Sequence, residues 1–416
     1  MRIIALANAH ALAHVSRLLE IAKVLRQRGH EILFAGHGKY LQVAGWDGFV
    51  TRELPYITVE QVVHAVRTQK LWELYREKEL EGFIEAELAL YAEFRPDLIL
   101  LDNRPTGRTS AEKAGLISTS VLNVHMSNYR RIPFFSYVQL AGKRQLPGLD
   151  FADKVENGIE NFVYDRLVMG GLNQVRGKLG LQPLYAYQHE EGQHLGLLAD
   201  IPEFNPVRSL PGHIHYIGPL TWRNTLPAPT CLDHLDPDRP TAYFTLGSEG
   251  LDELVEQLGA LTRRGIQIVV ATGAADLAAQ PKPPEGVFLE QYINTDTLLP
   301  HCDLVCCHGG NGTLYQALSH GLPCVVVATH AEQNYGGKRI QQLGLGRATT
   351  LKKLRRQGMA SLVESVRQVL ETPNYRQAAH NFAPQIKAWN GGELAATAIE
   401  DLLATDSMNL RQQRQQ

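Results

Sequence analysis

Two separate runs of alternating strand and helix patterns predict an α/β protein built from two doubly wound domains that face each other. The first run opens at Arg2 and the second at Ala242. Six prolines from Pro211 to Pro240 punctuate the low-periodicity stretch between them. A length of 416 residues suits two domains.

The first run is a βαβ opening. Arg2 to Leu6 is an apolar strand, and Asn8 to His14 reads as a loop. Leu18, Leu19, Ala22 and Leu25 then recur at helical spacing, Gly29 closes the helix, and Glu31 to Ala35 is the next strand. Thr58 to Glu93 is a charged, helix-favouring insertion. Pro96 to Asp102 reads as a parallel strand ending in a carboxylate, and Ser118 to Val124 as another. Tyr129, Phe134, Phe135 and Tyr137 cluster in a loop-like stretch, helical patterns cover Ala152–Leu179, and Ala199–Pro206 and His213–Pro219 carry short strand signals. The second run predicts strands at Ala242–Leu246, Ile266–Ala271 and Val287–Leu289, with a helix at Glu249–Arg264. Helices at Leu362–Leu370 and Gly392–Leu403 follow. The boundaries are therefore residues 1–210, a linker at 211–240, a second domain at 241–388, a last helix at 389–405 and a disordered polar tail at 406–416.

Composition removes several classes. The net charge of −2 and the lack of a Lys/Arg-rich block argue against a nucleic-acid binder. No run reaches the ~18 apolar residues of a membrane span. Cys231, Cys302, Cys306, Cys307 and Cys324 fit neither a disulfide framework nor a paired zinc spacing. They read as small buried thiols of a reducing compartment, and the first residues read as a strand, so a cytoplasmic protein is expected. No metal cluster is expected.

Residues 301–343 carry the chemistry. The strand Leu304–Cys307 runs into His308-Gly309-Gly310-Asn311-Gly312-Thr313 and then a helical pattern. Unpaired N–H groups and the helix dipole favour an anion at such a point. A second strand, Pro323 to Ala328, is followed by Glu332-Gln333, a carboxylate and an amide suited to hydroxyl groups. Phosphate beside polyol suggests a nucleotide sugar.

The combination of His308-Gly309-Gly310, Gly312-Thr313, Gly321-Leu322-Pro323 and Glu332-Gln333 resembles the signature of family-1 glycosyltransferases. These are UDP-sugar-dependent enzymes of the macrolide, glucuronosyl and glucosyltransferase type with the GT-B fold of two Rossmann-like domains. The resemblance implies a last helix that crosses back to the N-terminal domain. It implies a diphosphate cradle from Ser248, His308, Gly310, Asn311, Gly312 and Thr313, and a nucleoside site from Tyr292, Ile293 and Gln316. Tyr292 stands where the family has Trp. Gln316 stands where UDP-selective members place Glu on the ribose hydroxyls, so a dTDP-deoxysugar remains a rival donor. Glu332 and Gln333 would read the sugar.

The family's loop Gly-His, counted back from Arg28-Gly29-His30, maps onto Ala13-His14. His14 would be the general base, and Asp102, at the end of a neighbouring strand, would orient it. Trp72, Phe134, Phe135 and Tyr137 are candidates for an apolar acceptor cleft. The expected activity is inverting, metal-independent transfer of glucose or a similar sugar from a UDP-sugar co-substrate to a hydroxyl of a small aromatic or lipophilic acceptor, with no other cofactor. The rivals are a dTDP-deoxysugar transferase of a lipid or polyketide, a sugar-nucleotide epimerase, and a catalytically silent nucleotide-binding partner.

Overall fold

The computed structural model describes residues 1–68, 70–134, 149–223, 226–245, 258–272, 282–358 and 360–413. It contains two parallel sheets of seven and six strands, the two α/β units that the sequence predicts. The described residues divide into one unit that lies within 1–134, 149–222 and 389–413, and a second that lies within 223–388.

In the first unit the strands are β1 (Arg2–Ala7), β2 (Glu31–Gly36), β3 (Val50–Glu53), β4 (Leu98–Asp102), β5 (Ile117–Leu122), β6 (Leu195–Leu198) and β7 (Ile214–Tyr216). Their spatial order is β3-β2-β1-β4-β5-β6-β7. The chain enters mid-sheet at β1, builds outward to β3, then returns to β4 and builds the other way. The point where that direction reverses, between β1 and β4, is where open α/β sheets bind ligands. There Ala7 and Asp102 lie in register at the carboxyl ends.

The second unit has β8 (Thr241–Thr245), β9 (Gln267–Ala271), β10 (Val287–Glu290), β11 (Leu304–Cys307), β12 (Cys324–Ala328) and β13 (Gly346–Thr350), ordered β10-β9-β8-β11-β12-β13. Its reversal lies between β8 and β11, with Thr245 opposite Cys307. The central strands are buried on both faces, so they read as unbroken apolar runs such as Cys324-Val-Val-Val-Ala328.

Several elements differ from the sequence reading. The first helix starts at Leu12, so His14 sits in its first turn and the preceding loop is shorter than expected. The strand signal at Ala199–Pro206 falls on turns, and the strand is Leu195–Leu198 just before it. Gly196 makes room there: a Cβ would lie 2.3 Å from Ile214 Cδ1. β3 and β13 escaped notice because both are short, polar edge strands. Of the helix expected at Glu249–Arg264, residues 258–264 lie within the described residues, and Gly259–Thr262 is helical. The final helix runs from Gly391 through Gln413, into the segment read as a tail. Helix-favouring Met408, Leu410, Arg411 and Gln412 continue turns already nucleated.

That final helix belongs to the first unit. Ala395, Ala396, Ile399 and Leu403 share a core with Leu18, Leu19 and Ala22 of the Leu12–Gln27 helix. The Arg28-Gly29-His30 turn anchors it. Arg28 pairs with Glu393 and, at 2.6 Å, with Glu400, and His30 Nε2 lies 2.8 Å from Glu400.

Candidate active site

The first candidate site sits at the β1/β4 reversal. β1 hands the chain to Asn8, whose amide is clamped on the backbone of Ile57, accepting from its N–H at 2.9 Å and donating to its C=O at 3.2 Å. The Leu12–Gln27 helix then brings His14 to Asp102, with Nδ1 2.8 Å from Oδ1. Asp102 is fully buried and the His14 side chain is 17% exposed. An ionised carboxylate only accepts, so Nδ1 carries the proton and Nε2 keeps its lone pair. The His10 ring lies 4.8 Å from the His14 ring.

Arg17 is a member of this site that the sequence reading missed. Its Nε and Nη2 donate to Asp102 at 2.8 and 2.6 Å, and Nη1 donates to Asn123 Oδ1 at 2.7 Å. Nη2 also stands 3.2 Å from His14 Nδ1. Because Nδ1 is already a donor to Asp102, that last approach is a charge contact and not a second hydrogen bond. A signal was present: Arg17 lies one helical turn beyond His14, on the same face.

The loop beyond Asp102 is fixed by two more residues. Asn103 adopts φ 48° and donates to Glu190 at 3.0 Å. Arg104, fully buried, donates to Glu87 at 2.6 Å and to the Pro55 carbonyl at 2.8 Å. Buried ionic groups of this kind hold geometry more than they add stability.

Of the acceptor candidates, Trp72 lies on a 3-10 turn (Leu71–Glu73) and is exposed. Phe134 meets the His125 ring edge-on at 5.9 Å and lies under Arg130. No ring contact joins Trp72 to Phe134. Phe135 and Tyr137 lie outside the described residues, as does Ser248 of the expected cradle.

The second candidate site lies past β11. Gly309 has φ +99°, and a Cβ there would sit 2.7 Å from both the Gln333 carbonyl and Val326. Only glycine fits that close approach. Gly310 is the N-cap of the Asn311–Ser319 helix, which has no side-chain cap. The first N–H groups, at Asn311, Gly312 and Thr313, therefore have no partner from their own helix. The His308 ring covers Gly310, with Nε2 2.7 Å from where a Cβ would be.

Gln316 donates to Thr295 Oγ1. Ile293 is buried and Tyr292 half-buried, its phenol pushed up by burial. Glu332 is half-buried in the first turn of the Ala331–Gln342 helix. Gln333 is buried, and its amide oxygen accepts from the Thr329 N–H and hydroxyl, both at 2.8 Å. Gly336 brings that helix onto the Gly309 carbonyl.

All five cysteines are buried free thiols. Burial pushes Cys302 and Cys307 to about 12, so they stay protonated at neutral pH. No described residues form a group of three or more metal-ligating side chains. No described helix is long and apolar enough to cross a membrane.

Two parallel-sheet units with their candidate groups at the strand reversals define a GT-B architecture. Comparison with known proteins places the chain within it. Residues 253–396 match the erythromycin biosynthesis protein CIII-like C-terminal domain. A PGL/p-HBAD biosynthesis rhamnosyltransferase of Mycobacterium bovis (strain BCG / Pasteur 1173P2) is 30% identical over 92% of this chain and 83% of that protein. The glycosyltransferase VinC in complex with dTDP superposes with a TM-score of 0.69, at 18% identity, over 97% of this chain and all of that one. The spinosyn rhamnosyltransferase SpnG complexed with thymidine diphosphate gives 0.68, at 17% identity, over 95% of this chain and 99% of that one. At that identity these two structures establish the fold alone. The chain belongs to the family-1 glycosyltransferases with the EryCIII-like C-terminal domain. It is a glycosyltransferase.

Proposed function

We propose that this glycosyltransferase moves a deoxysugar, rhamnose or a close relative, from a dTDP-sugar to a hydroxyl of a lipophilic acceptor, with inversion and with His14 as general base. The observation that carries the chemistry is the 2.8 Å contact between His14 Nδ1 and buried Asp102. It leaves Nε2 as the proton acceptor. The acceptor O–H gives its proton to Nε2 as its oxygen attacks the anomeric carbon. The bond from that carbon to the diphosphate oxygen breaks on the opposite face, and its electron pair leaves with the diphosphate. The N–H groups of Asn311, Gly312 and Thr313, with His308, receive that charge.

The choice of dTDP over UDP rests on two supports. A curated relative is named as a rhamnosyltransferase, and two structures of the same fold hold thymidine diphosphate. Gln316 is a neutral amide already bonded to Thr295, not a carboxylate offered to a 2′-hydroxyl.

Thermal stabilisation by dTDP and UDP at equal concentration tests the donor, since a ligand of the native state raises stability by mass action. dTDP should stabilise more, and Gln316→Glu should shift the preference toward UDP. A larger shift with UDP would return the donor to a UDP-sugar. Release of dTDP from dTDP-rhamnose, with a panel of phenolic and long-chain alcohols, tests the base. His14→Ala should lower turnover by about 10²–10⁴ while dTDP binding persists. Unchanged turnover would sink the mechanism.

A further inference from the structure

The helix Leu149–Leu167 is turned inside out. Its inward side is polar. Asp153 and Asn157 are buried, and Asn157 Nδ2 donates to the carbonyls of Arg130 and Arg131 at 3.2 and 3.1 Å. Glu160 and Asn161 accept from Arg130 Nη2 at 3.0 and 2.9 Å, and Glu160 also accepts from the Phe134 N–H at 3.1 Å. Its outward side is apolar. Phe151 is 71% exposed, Val155 47%, Ile159 58%, Phe162 66% and Val163 43%. At 100° per residue these five fall within an arc of about 120°.

Water cannot be the intended neighbour of such a face. The two phenyl rings alone expose on the order of 250 Å², and contiguous apolar patches of a few hundred Å² mark interaction surfaces. The helix cannot roll to hide them, because Arg130 ties its polar side down through Glu160 and Asn161. The remaining fully exposed side chains of Phe151–Arg166 are Ala152, Lys154 and Arg166, with Gly158 bare between them, while the carboxylates Glu156 and Asp165 are half-buried. Lys154 and Arg166 stand near the two ends, and neither makes an ion pair with a described residue. An apolar strip bounded by unpaired bases is complementary to an anionic lipid surface, with the rings below the headgroups and the two cations among them.

We propose that the Leu149–Leu167 helix is a membrane-docking face that lays this glycosyltransferase on anionic bilayers. The helix lies in the interface and does not span it. The assignment stands apart from the choice of donor and from the role of His14.

Flotation of the full chain with vesicles tests it, using phosphatidylcholine alone and phosphatidylcholine mixed with phosphatidylglycerol. The protein should float with the anionic vesicles and far less with the neutral ones. Phe151→Ser/Phe162→Ser should weaken binding at least about tenfold. Lys154→Glu/Arg166→Glu should erase the anionic preference, each base being worth about fivefold. The urea midpoint, measured alongside, should stay close to the parent's in both variants, which separates lost docking from lost folding. Absence of flotation with either vesicle, or a serine variant that floats like the parent, overturns the proposal. So does a dimer in light scattering that the serine variant dissolves without any flotation, which would give the face to a second copy of this chain.

Discussion

Replacing Asp102 by Asn should slow transfer, and replacing Arg17 as well should restore part of the loss. Asp102 Oδ1 stands 2.8 Å from His14 Nδ1, and Arg17 Nη2 stands 3.2 Å from the same nitrogen. At an effective dielectric constant of about 20 these separations correspond to about 6 kcal/mol of attraction and about 5 kcal/mol of repulsion for an imidazolium. Both are upper values, since the charges are spread over several atoms, but they nearly cancel. In the proposed mechanism Asp102 therefore acts more by fixing the ring than by its net field. In Asp102→Asn the guanidinium field is no longer offset, and an amide N–H₂ must face one of the Arg17 donors. A loss of about 10³ in kcat follows, at 1.36 kcal/mol per decade. Stability should fall by about 3–5 kcal/mol, because the buried Arg17 loses the carboxylate that faces it. That is a large part of a typical total of about 5–15 kcal/mol, so turnover must be normalised to folded protein. Asp102→Asn/Arg17→Met removes both charges. Its urea midpoint should return close to the parent's, and its kcat should exceed that of Asp102→Asn by about tenfold or more. A double variant no faster than the single would refute the offset between Arg17 and Asp102. A single variant with parental kcat would remove Asp102 from the mechanism altogether.

Two further outcomes are expected. Burial raises the Glu191 carboxyl; its Oε1 is buried without a described partner and its Oε2 accepts from Tyr129 at 3.1 Å. A raised folded-state value favours folding below the ordinary carboxylate range and loses that advantage as pH rises through it. Glu191→Gln should therefore be more stable than the parent at about pH 8, with the gap closing by about pH 4, in paired urea titrations. A gap independent of pH would assign the effect to packing. Gly309→Ala should lose about 2–4 kcal/mol from its φ of +99° and its 2.7 Å clashes, together with stabilisation by dTDP. Parental stability would mean that the turn is not as tight as described.

The parts of the candidate site legible in the sequence are those written locally. The strand, glycine turn and helix at 304–319 announce themselves through adjacent residues, and so does the carboxylate closing β4. The spacing puts Arg17 on the His14 face, but its role is not legible there, because it depends on Asp102, 85 residues away, and on Asn123, 106 residues away. A helical Arg reads as a solvated charge until the fold closes around it. The Leu149–Leu167 helix shows the same limit in reverse. Its apolar periodicity predicts a helix correctly, but periodicity alone assigns the apolar side to the core. Only the burial of Arg130, held by Glu160 and Asn161, reverses that assignment.

The same geometry separates folding work from chemistry among the residues that carry the family resemblance. Arg28 and His30 fix the register that leads to His14, yet both are engaged by Glu400 on the final helix. Gln333 spends its amide oxygen capping its own helix through Thr329, and Gly309 and Gly336 are there because a helix and a turn touch. His14 differs in kind. Its Nδ1 is held by a buried carboxylate at the end of β4, while its Nε2 makes no hydrogen bond with a described residue. Substitutions in the first group should act on stability and on turnover together, whereas His14 should act far more on turnover than on stability. A motif match cannot make that distinction, because it weighs every matched position alike. The hydrogen-bond partners of each side chain can.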